Sequence, residues 1–143
     1  GGRVIMTNGW SGMGFAIPAA IAAKLNNPQL NVIAVTGDGG FLMSAGEIAT
    51  IRRLNLKIII IVLCDRELNL IKLKQEKREL APDRIDLYKG DLFEADKFLG
   101  VRVIEVESDE SMNKAISSAL LSDSASIINA KIDPEEYQKY VIV

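Results

Sequence analysis

Short apolar runs of strand length alternate along the chain with longer segments of helical periodicity. The clearest runs, N-V-I-A-V-T at residues 31–36 and K-I-I-I-I-V-L at residues 57–63, are rich in β-branched residues and nearly continuous. A continuous apolar run of this length is typical of a strand that is covered on both faces. Weaker runs of the same kind at residues 101–106 and 126–132 predict two further strands.

The first half of the chain also contains two segments with helical patterns. Residues 14–25 predict a helix in which Pro18 is tolerated because it lies near the opening turns. The sequence S-A-G-E at residues 44–47 has the spacing of a capping box, in which a serine hydroxyl and a glutamate satisfy backbone amides at a helix start. A second helix is therefore expected over residues 45–54.

Two more helices are predicted in the second half. One starts at Asp91 and stops at Gly100, and another follows Ser108 and runs to about Leu121. The alternation of strands and helices predicts the α/β class, as a three-layer α/β/α domain around an open, mainly parallel sheet. Because ligands bind such sheets beyond the carboxyl ends of the strands, the residues directly after the first two strands are the candidate site.

Composition narrows the possible functions. The chain has 143 residues, 17 basic and 19 acidic side chains, a net charge of −2 and no histidine, and Cys64 is its one cysteine. These counts exclude histidine-based catalytic triads and cysteine-rich zinc sites within the chain, so a metal here must be bound by oxygen atoms. No basic run exceeds a pair, and no apolar run is long enough to cross a bilayer, so we expect neither a nucleic-acid nor a membrane partner.

The start of the chain and its cysteine content suggest a context. The sequence begins with Gly1 rather than methionine, as though it were a piece of a longer chain or had lost its start. A single cysteine permits no intrachain disulfide, and we expect a reducing, cytoplasmic compartment.

Two aspartates follow the first two predicted strands. Asp38 lies in Gly37-Asp38-Gly39-Gly40 and Asp65 comes 27 residues later, so one strand–helix–strand unit separates them. If the two strands are neighbours, both carboxylates reach the same edge of the sheet, where carboxylates and phosphate oxygens are the ligands that magnesium prefers. The glycines would let the backbone approach a phosphate group. The alternative is that both aspartates are ordinary turn residues after strands.

Other glycine-rich phosphate motifs do not match this segment. A dinucleotide fingerprint needs a glycine where Leu42 stands, and the Gly-Lys-Ser/Thr of a Walker A loop is absent.

Longer motifs indicate a family. The G-D-G around Asp38, followed 27 residues later by Asp65, resembles the diphosphate and magnesium motif of thiamine-diphosphate-dependent enzymes. Residues 9–20, G-W-S-G-M-G-F-A-I-P-A-A, are similar to a stretch of the acetolactate synthase and 2-oxoacid decarboxylase group, and residues 65–77 resemble acetolactate synthases most. The resemblance is specific over residues 9–77 and is mainly one of pattern beyond residue 90.

The resemblance implies roles for individual residues in binding thiamine diphosphate and Mg²⁺. Asp38 and Asp65 would bind the metal through their carboxylates, and Glu67 through its backbone carbonyl. The remaining cofactor contacts would come from Gly12, Gly37, Asp38, Gly39, Gly40, Asn69 and Leu70.

Two residues would act nearer the reacting atoms. Met13 would lie under the cofactor and force its two rings into a bent conformation, and the Ser11 carbonyl would accept a hydrogen bond from the pyrimidine amine. Met13 could instead be an ordinary core residue at a helix start, and Trp10 could either flank the pocket or pack as a half-buried side chain.

The activity implied by the resemblance is condensation of two pyruvate molecules to 2-acetolactate with loss of CO₂. Family members use a glutamate from the pyrimidine-binding domain of another subunit, and their cofactor domain starts with a further strand; neither is found in this chain. We therefore expect a single domain over residues 1–143, part of a homodimer or tetramer and inactive alone.

Two alternatives stay open. One is a 2-oxoacid decarboxylase, including a split form in which this domain is its own subunit, and the other is a catalytically silent assembly domain. Leu68 replaces the usual aromatic residue, and Ile71 stands where some decarboxylases have a glutamate, which mildly favours carboligation.

Overall fold

A computed structural model describes residues 2–136 as one sheet with helices on both faces. The strands of this part of the chain are β1 (Val32–Gly37), β2 (Ile58–Cys64), β3 (Lys97–Phe98), β4 (Val101–Val106) and β5 (Ser126–Lys131). Its α-helices are α1 (Ala16–Asn26), α2 (Asp38–Ser44), α3 (Glu47–Arg53), α4 (Asn69–Lys77) and α5 (Asp109–Leu121), and a short 3₁₀ turn covers Pro134–Glu136. Among the described residues, no helix is long and apolar enough to cross a membrane.

The strand order is β1-β2-β5-β4-β3, and every neighbouring pair is parallel except β3 with β4. This arrangement confirms the predicted α/β class with an open, mainly parallel sheet. β1 and β2 are direct neighbours, with Gly37 opposite Leu63. Asp38 and Asp65, which follow these strands, therefore emerge at the same edge of the sheet.

Two apolar clusters cover the two faces of the sheet. The larger one joins α1, α2 and α3 to one face, with Ile17, Phe41 and Ile48 fully buried. The smaller one joins α5 to the other face through Ala115 and Ala119. β2 contributes alternate residues to both clusters, which explains why its sequence is a continuous apolar run rather than an alternating one.

The helix predicted between Asp91 and Gly100 is wrong. Residues 91–96 form no regular element, and residues 97–106 form the β3–β4 hairpin. Phe93 is buried in this loop and contacts Phe41 edge to face, with ring centroids 5.2 Å apart. Leu99 and Gly100 have φ angles of 46° and 82°, the left-handed pair of a tight two-residue hairpin turn, so the glycine serves a hairpin and not a helix end.

The capping box predicted at Ser44 is also wrong. The glycine-rich segment is not a loop, because α2 starts at Asp38 and runs through it to Ser44, and α3 starts only at Glu47. The Ser44 hydroxyl donates to the carbonyl of Gly40 at 3.3 Å, within its own helix. The real capping box starts α5, where the Ser108 hydroxyl accepts from the Ser111 amide, and this confirms the helix expected after Ser108.

Candidate cofactor and cation site

The Asp38 carboxylate lies at the junction of β1 and α2 and is 3% exposed. Its Oδ1 accepts a hydrogen bond from the Gly39 amide at 2.8 Å. Its Oδ2 accepts from the Arg66 amide at 2.9 Å and from the Tyr88 hydroxyl at 2.9 Å. Donors from three separate segments therefore set the rotation of this carboxylate.

The charge of Asp38 has no cationic partner among residues 2–136, where the ion pairs involve other carboxylates. A buried carboxylate is costly unless it is paired or binds a metal, and neutral donors offset only part of that cost. The amino-terminal end of α2 adds a modest favourable field. The donor set around Asp38 thus fits a carboxylate that binds a cation.

Asp65 begins the segment that connects β2 to α4. Its Oδ1 accepts from the Glu67 amide at 3.1 Å, and its Oδ2 accepts from the side-chain amide of Asn69 at 2.7 Å. The bond from the Glu67 amide is that of an Asx turn, and the bond from Asn69 ties Asp65 to the first residue of α4, so part of the role of Asp65 is to shape the segment that enters α4. Its assignment as a magnesium ligand stays a prediction.

Glu67 directs its side chain to Lys72, with Oε2 and Nζ 2.8 Å apart. The hydrogen bond to Glu67 is the first cause of the raised pKa of the Lys72 ammonium. No cluster of three His, Cys, Asp or Glu side chains suited to a metal occurs within the described range. Any cation here therefore needs backbone or cofactor oxygens besides carboxylates, which is consistent with the predicted use of the Glu67 carbonyl.

The glycines around Asp38 have little space for a side chain, and the space differs from one to the next. A Cβ atom on Gly39 would lie 2.7 Å from the methyl of Met13, and one on Gly40 would lie 2.5 Å from Oγ1 of Thr36. Gly37 is less restricted, because the nearest atom would be the Leu63 carbonyl oxygen at 4.0 Å. Gly40 therefore permits α2 to pack against β1, and Gly39 permits a side chain or a ligand to approach the start of α2.

An open cleft of about 1930 Å³ extends from this edge of the sheet along β1. Met13 borders the cleft and is 49% exposed, so it is not a core residue. Ser11 lies outside the lining, with a φ of 48°, and its hydroxyl donates to the Thr7 carbonyl at 3.1 Å. The other predicted site residues all line the cleft: Gly12, Gly37, Asp38, Gly39, Gly40, Asp65, Glu67, Asn69 and Leu70.

Tyr88 was not among the residues predicted from the sequence. Burial, and then the hydrogen bond to Asp38, raise the pKa of its hydroxyl far above the ordinary range, so the group remains a donor at neutral pH. Cys64 is also buried at this edge, and burial followed by the charge of Asp38 raises the pKa of its thiol to about 12. Its burial and raised pKa make Cys64 an unreactive thiol in the folded protein.

Together these features define an α/β domain with a cleft at the carboxyl ends of two neighbouring parallel strands, lined by glycines and by a buried carboxylate that suits a cation. The family described as "Thiamine pyrophosphate enzyme, C-terminal TPP binding domain" matches residues 1–130. The chain belongs to this family.

Relatives agree with this assignment, and a solved structure shares the fold. The chain is 30% identical over 135 residues to the probable acetolactate synthase large subunit of Methanocaldococcus jannaschii, covering 92% of this chain and 23% of that protein. It is 31% identical over 131 residues to the catabolic acetolactate synthase of Raoultella terrigena, with the same coverage. The thiamine diphosphate-dependent 4-hydroxybenzoylformate decarboxylase of Rhodococcus jostii RHA1 has the same fold, with a TM-score of 0.77 and 24% identity, over 87% of this chain and 24% of that chain. The chain thus spans about a quarter of the length of the proteins it matches.

Proposed function

We propose that this domain binds the diphosphate of thiamine diphosphate together with Mg²⁺ and forms part of the active site of an acetolactate synthase. The reaction is the condensation of two pyruvate molecules to 2-acetolactate with loss of CO₂. The observation that carries the proposal is the buried Asp38 carboxylate, which has no cationic partner in the described part of the chain and lies directly before two closely packed glycines. Similarity to acetolactate synthases over most of the chain supports the choice of reaction.

The cation would be held by the carboxylates of Asp38 and Asp65 and by the backbone carbonyl of Glu67. The backbone pairing beside this segment uses the Arg66 carbonyl and the Leu68 amide, so it leaves the Glu67 carbonyl outside the pairing. Oxygen donors of this kind, completed by phosphate oxygens and water, suit magnesium.

The diphosphate would lie along the start of α2, beside Gly37, Gly39 and Gly40, with Asn69 and Leu70 at its border. Gly12 would contact the cofactor from the segment before α1.

Met13 would support the bent form of the cofactor from its place at the border of the cleft, and the Ser11 carbonyl would orient the pyrimidine amine. Thiamine diphosphate, when bound, supplies the electron sink that decarboxylation of a 2-oxo acid requires.

The active site is proposed to be completed by the pyrimidine-binding domain of another subunit, in a homodimer or tetramer. The segment before α1 exposes several apolar side chains: Val4, Ile5, Met6 and the fully exposed Trp10. An exposed apolar segment of this kind supports the proposal that another subunit covers it in the assembly.

Cofactor titration tests the site. Thiamine diphosphate binding should depend on Mg²⁺, and Asp38→Ala and Asp65→Ala should each weaken it at least about tenfold, since each removes a charged metal ligand. Asp123→Ala is the matched control, because Asp123 is exposed in the turn before β5 at the opposite edge of the sheet. Unchanged thiamine diphosphate affinity in both site variants would contradict the assignment of Asp38 and Asp65 as magnesium ligands.

Product analysis tests the reaction. The native assembly should convert pyruvate to acetolactate. Release of acetaldehyde without acetolactate would favour the decarboxylase alternative, and cofactor binding without turnover of any 2-oxo acid would favour the silent assembly domain.

A further inference from the structure

The two oxygens of the Asp38 carboxylate differ in the number of acceptor positions that protein donors leave open. A carboxylate offers about four acceptor positions, two on each oxygen. Oδ2 is filled by the Arg66 amide and the Tyr88 hydroxyl, whereas Oδ1 accepts one hydrogen bond from a described residue, the Gly39 amide. One acceptor position on Oδ1 therefore remains.

The loop that carries Tyr88 is fastened to the segment after β2. The Leu68 amide donates to the Ile85 carbonyl at 2.8 Å, and the Leu87 amide donates to the Arg66 carbonyl at 3.0 Å. The residue next to Leu87 is Tyr88, so its hydroxyl is placed by the same segment that presents the Arg66 amide to Asp38. Both donors to Oδ2 thus belong to one hydrogen-bonded unit.

We infer that Tyr88 is a positioning residue for the cation site: its hydroxyl saturates Oδ2 of Asp38 and so directs a bound cation to Oδ1. The inference rests on the proposed function, because it takes Asp38 as a metal ligand. Tyr88 itself does not contact the metal; it fixes which oxygen of the carboxylate is available.

Removal of the hydroxyl frees one position on Oδ2 and removes one of the three hydrogen bonds that set the rotation of the carboxylate about its Cβ–Cγ bond. Groups that hold a metal-binding carboxylate in place typically contribute 10–100-fold to metal affinity. Tyr88→Phe should therefore weaken cation binding by about 10–100-fold while it retains the aromatic ring and its packing. Cation binding and cofactor binding are linked, so a weaker cation site lowers cofactor affinity only while that site is partly empty. At saturating cation, the cofactor affinity of Tyr88→Phe should therefore stay within about twofold of the native value.

The measurement uses Mn²⁺ as a paramagnetic substitute for Mg²⁺. The protein in its native assembly is titrated at saturating thiamine diphosphate, and free Mn²⁺ is followed by electron paramagnetic resonance. A second titration with thiamine diphosphate at saturating Mn²⁺ gives the cofactor affinity, and thermal unfolding checks that the variant is folded.

Asp91→Asn is the matched control for loosening of the same loop. Asp91 pairs with Arg66 at 3.4 Å and with Lys131 at 3.9 Å on an exposed surface and does not contact Asp38. This variant should bind Mn²⁺ within about twofold of the native protein, as expected for the loss of exposed ion pairs.

Each outcome separates the inference from the proposed function. Native Mn²⁺ affinity in Tyr88→Phe, tighter binding, or an equal loss in Asp91→Asn would each overturn the role of Tyr88. Asp38→Asn, run in parallel, tests the ligand itself: if it binds Mn²⁺ like the native protein, the magnesium assignment fails regardless of Tyr88. Loss in Asp38→Asn without loss in Tyr88→Phe would reject only the positioning role.

Discussion

Gly40→Ala tests the close contact between α2 and β1. The helical backbone of α2 can accept alanine, and a glycine-to-alanine change in a helix ordinarily stabilises a protein by about 0.5–1 kcal/mol. Here the added Cβ would lie 2.5 Å from Oγ1 of Thr36, well inside contact distance. Thr36 is β-branched and has little rotational freedom, so the clash must be relieved by shifting α2.

Overpacking of this kind costs about 1–3 kcal/mol, which exceeds the helix benefit. Gly40→Ala should therefore reduce the free energy of unfolding by about 1–2 kcal/mol net. Gly46→Ala is the matched control, since Gly46 has helical angles and a Cβ there would meet no atom within 4 Å. This control should be neutral or stabilising by up to about 1 kcal/mol.

A double-mutant cycle identifies the contact. Thr36→Ala removes the clashing oxygen, so Gly40→Ala in that background should cost nothing or stabilise the fold. Urea unfolding followed by far-ultraviolet circular dichroism is the suitable assay, because the single tryptophan, Trp10, is fully exposed and reports poorly on the core. A Gly40→Ala variant as stable as the native protein, or an equal loss in both backgrounds, would refute the reasoning.

Three further predictions concern other parts of the fold. The Cys64 thiol, whose pKa is raised to about 12 by burial and then by the charge of Asp38, should resist disulfide exchange reagents near neutral pH and react once urea unfolds the protein; rapid reaction in the native state would contradict its burial. Phe93→Ala, which removes the edge-to-face contact with Phe41, should cost about 3–5 kcal/mol in urea unfolding, and a loss below about 1 kcal/mol would show that the loop packs elsewhere. Ser108→Ala removes the cap of α5 and should cost about 1 kcal/mol by the same assay, and an unchanged midpoint would argue against the cap.

β2 was predictable because burial on both faces leaves a continuous apolar run. The same expectation is wrong for β1, an edge strand on which Ile33 and Val35 are exposed, so that one of its faces is not covered. The adjacency of the two strands was assumed and is confirmed by the register of Gly37 with Leu63. The helix ends were less predictable. Ser44 has the local pattern of a cap, but the helical angles of Gly46 and the earlier start of α2 at Asp38 remove the capping geometry.

The helix predicted from Asp91 to Gly100 failed because tertiary contacts override the local pattern. Asp91 and the apolar residues after it have helical spacing, but Phe93 packs against Phe41, which is distant along the chain. Tyr88 escaped prediction in the same way: it lies 50 residues from Asp38, and a hydrogen bond between them leaves no trace in local spacing. Spacing did predict the edge at which Asp38 and Asp65 emerge, because one strand–helix–strand unit separates them.

The β1–α2 junction connects the stability of the fold to the proposed site. α2 starts at Asp38, and Gly40 leaves no room for a side chain against Thr36. A shift of α2 against β1 therefore also moves the carboxylate away from the Arg66 amide and the Tyr88 hydroxyl. Substitutions at this junction should therefore lower cation affinity and stability together. Substitutions in α5, which packs on the opposite face of the sheet, should lower stability alone, because none of the donors to Asp38 comes from that helix.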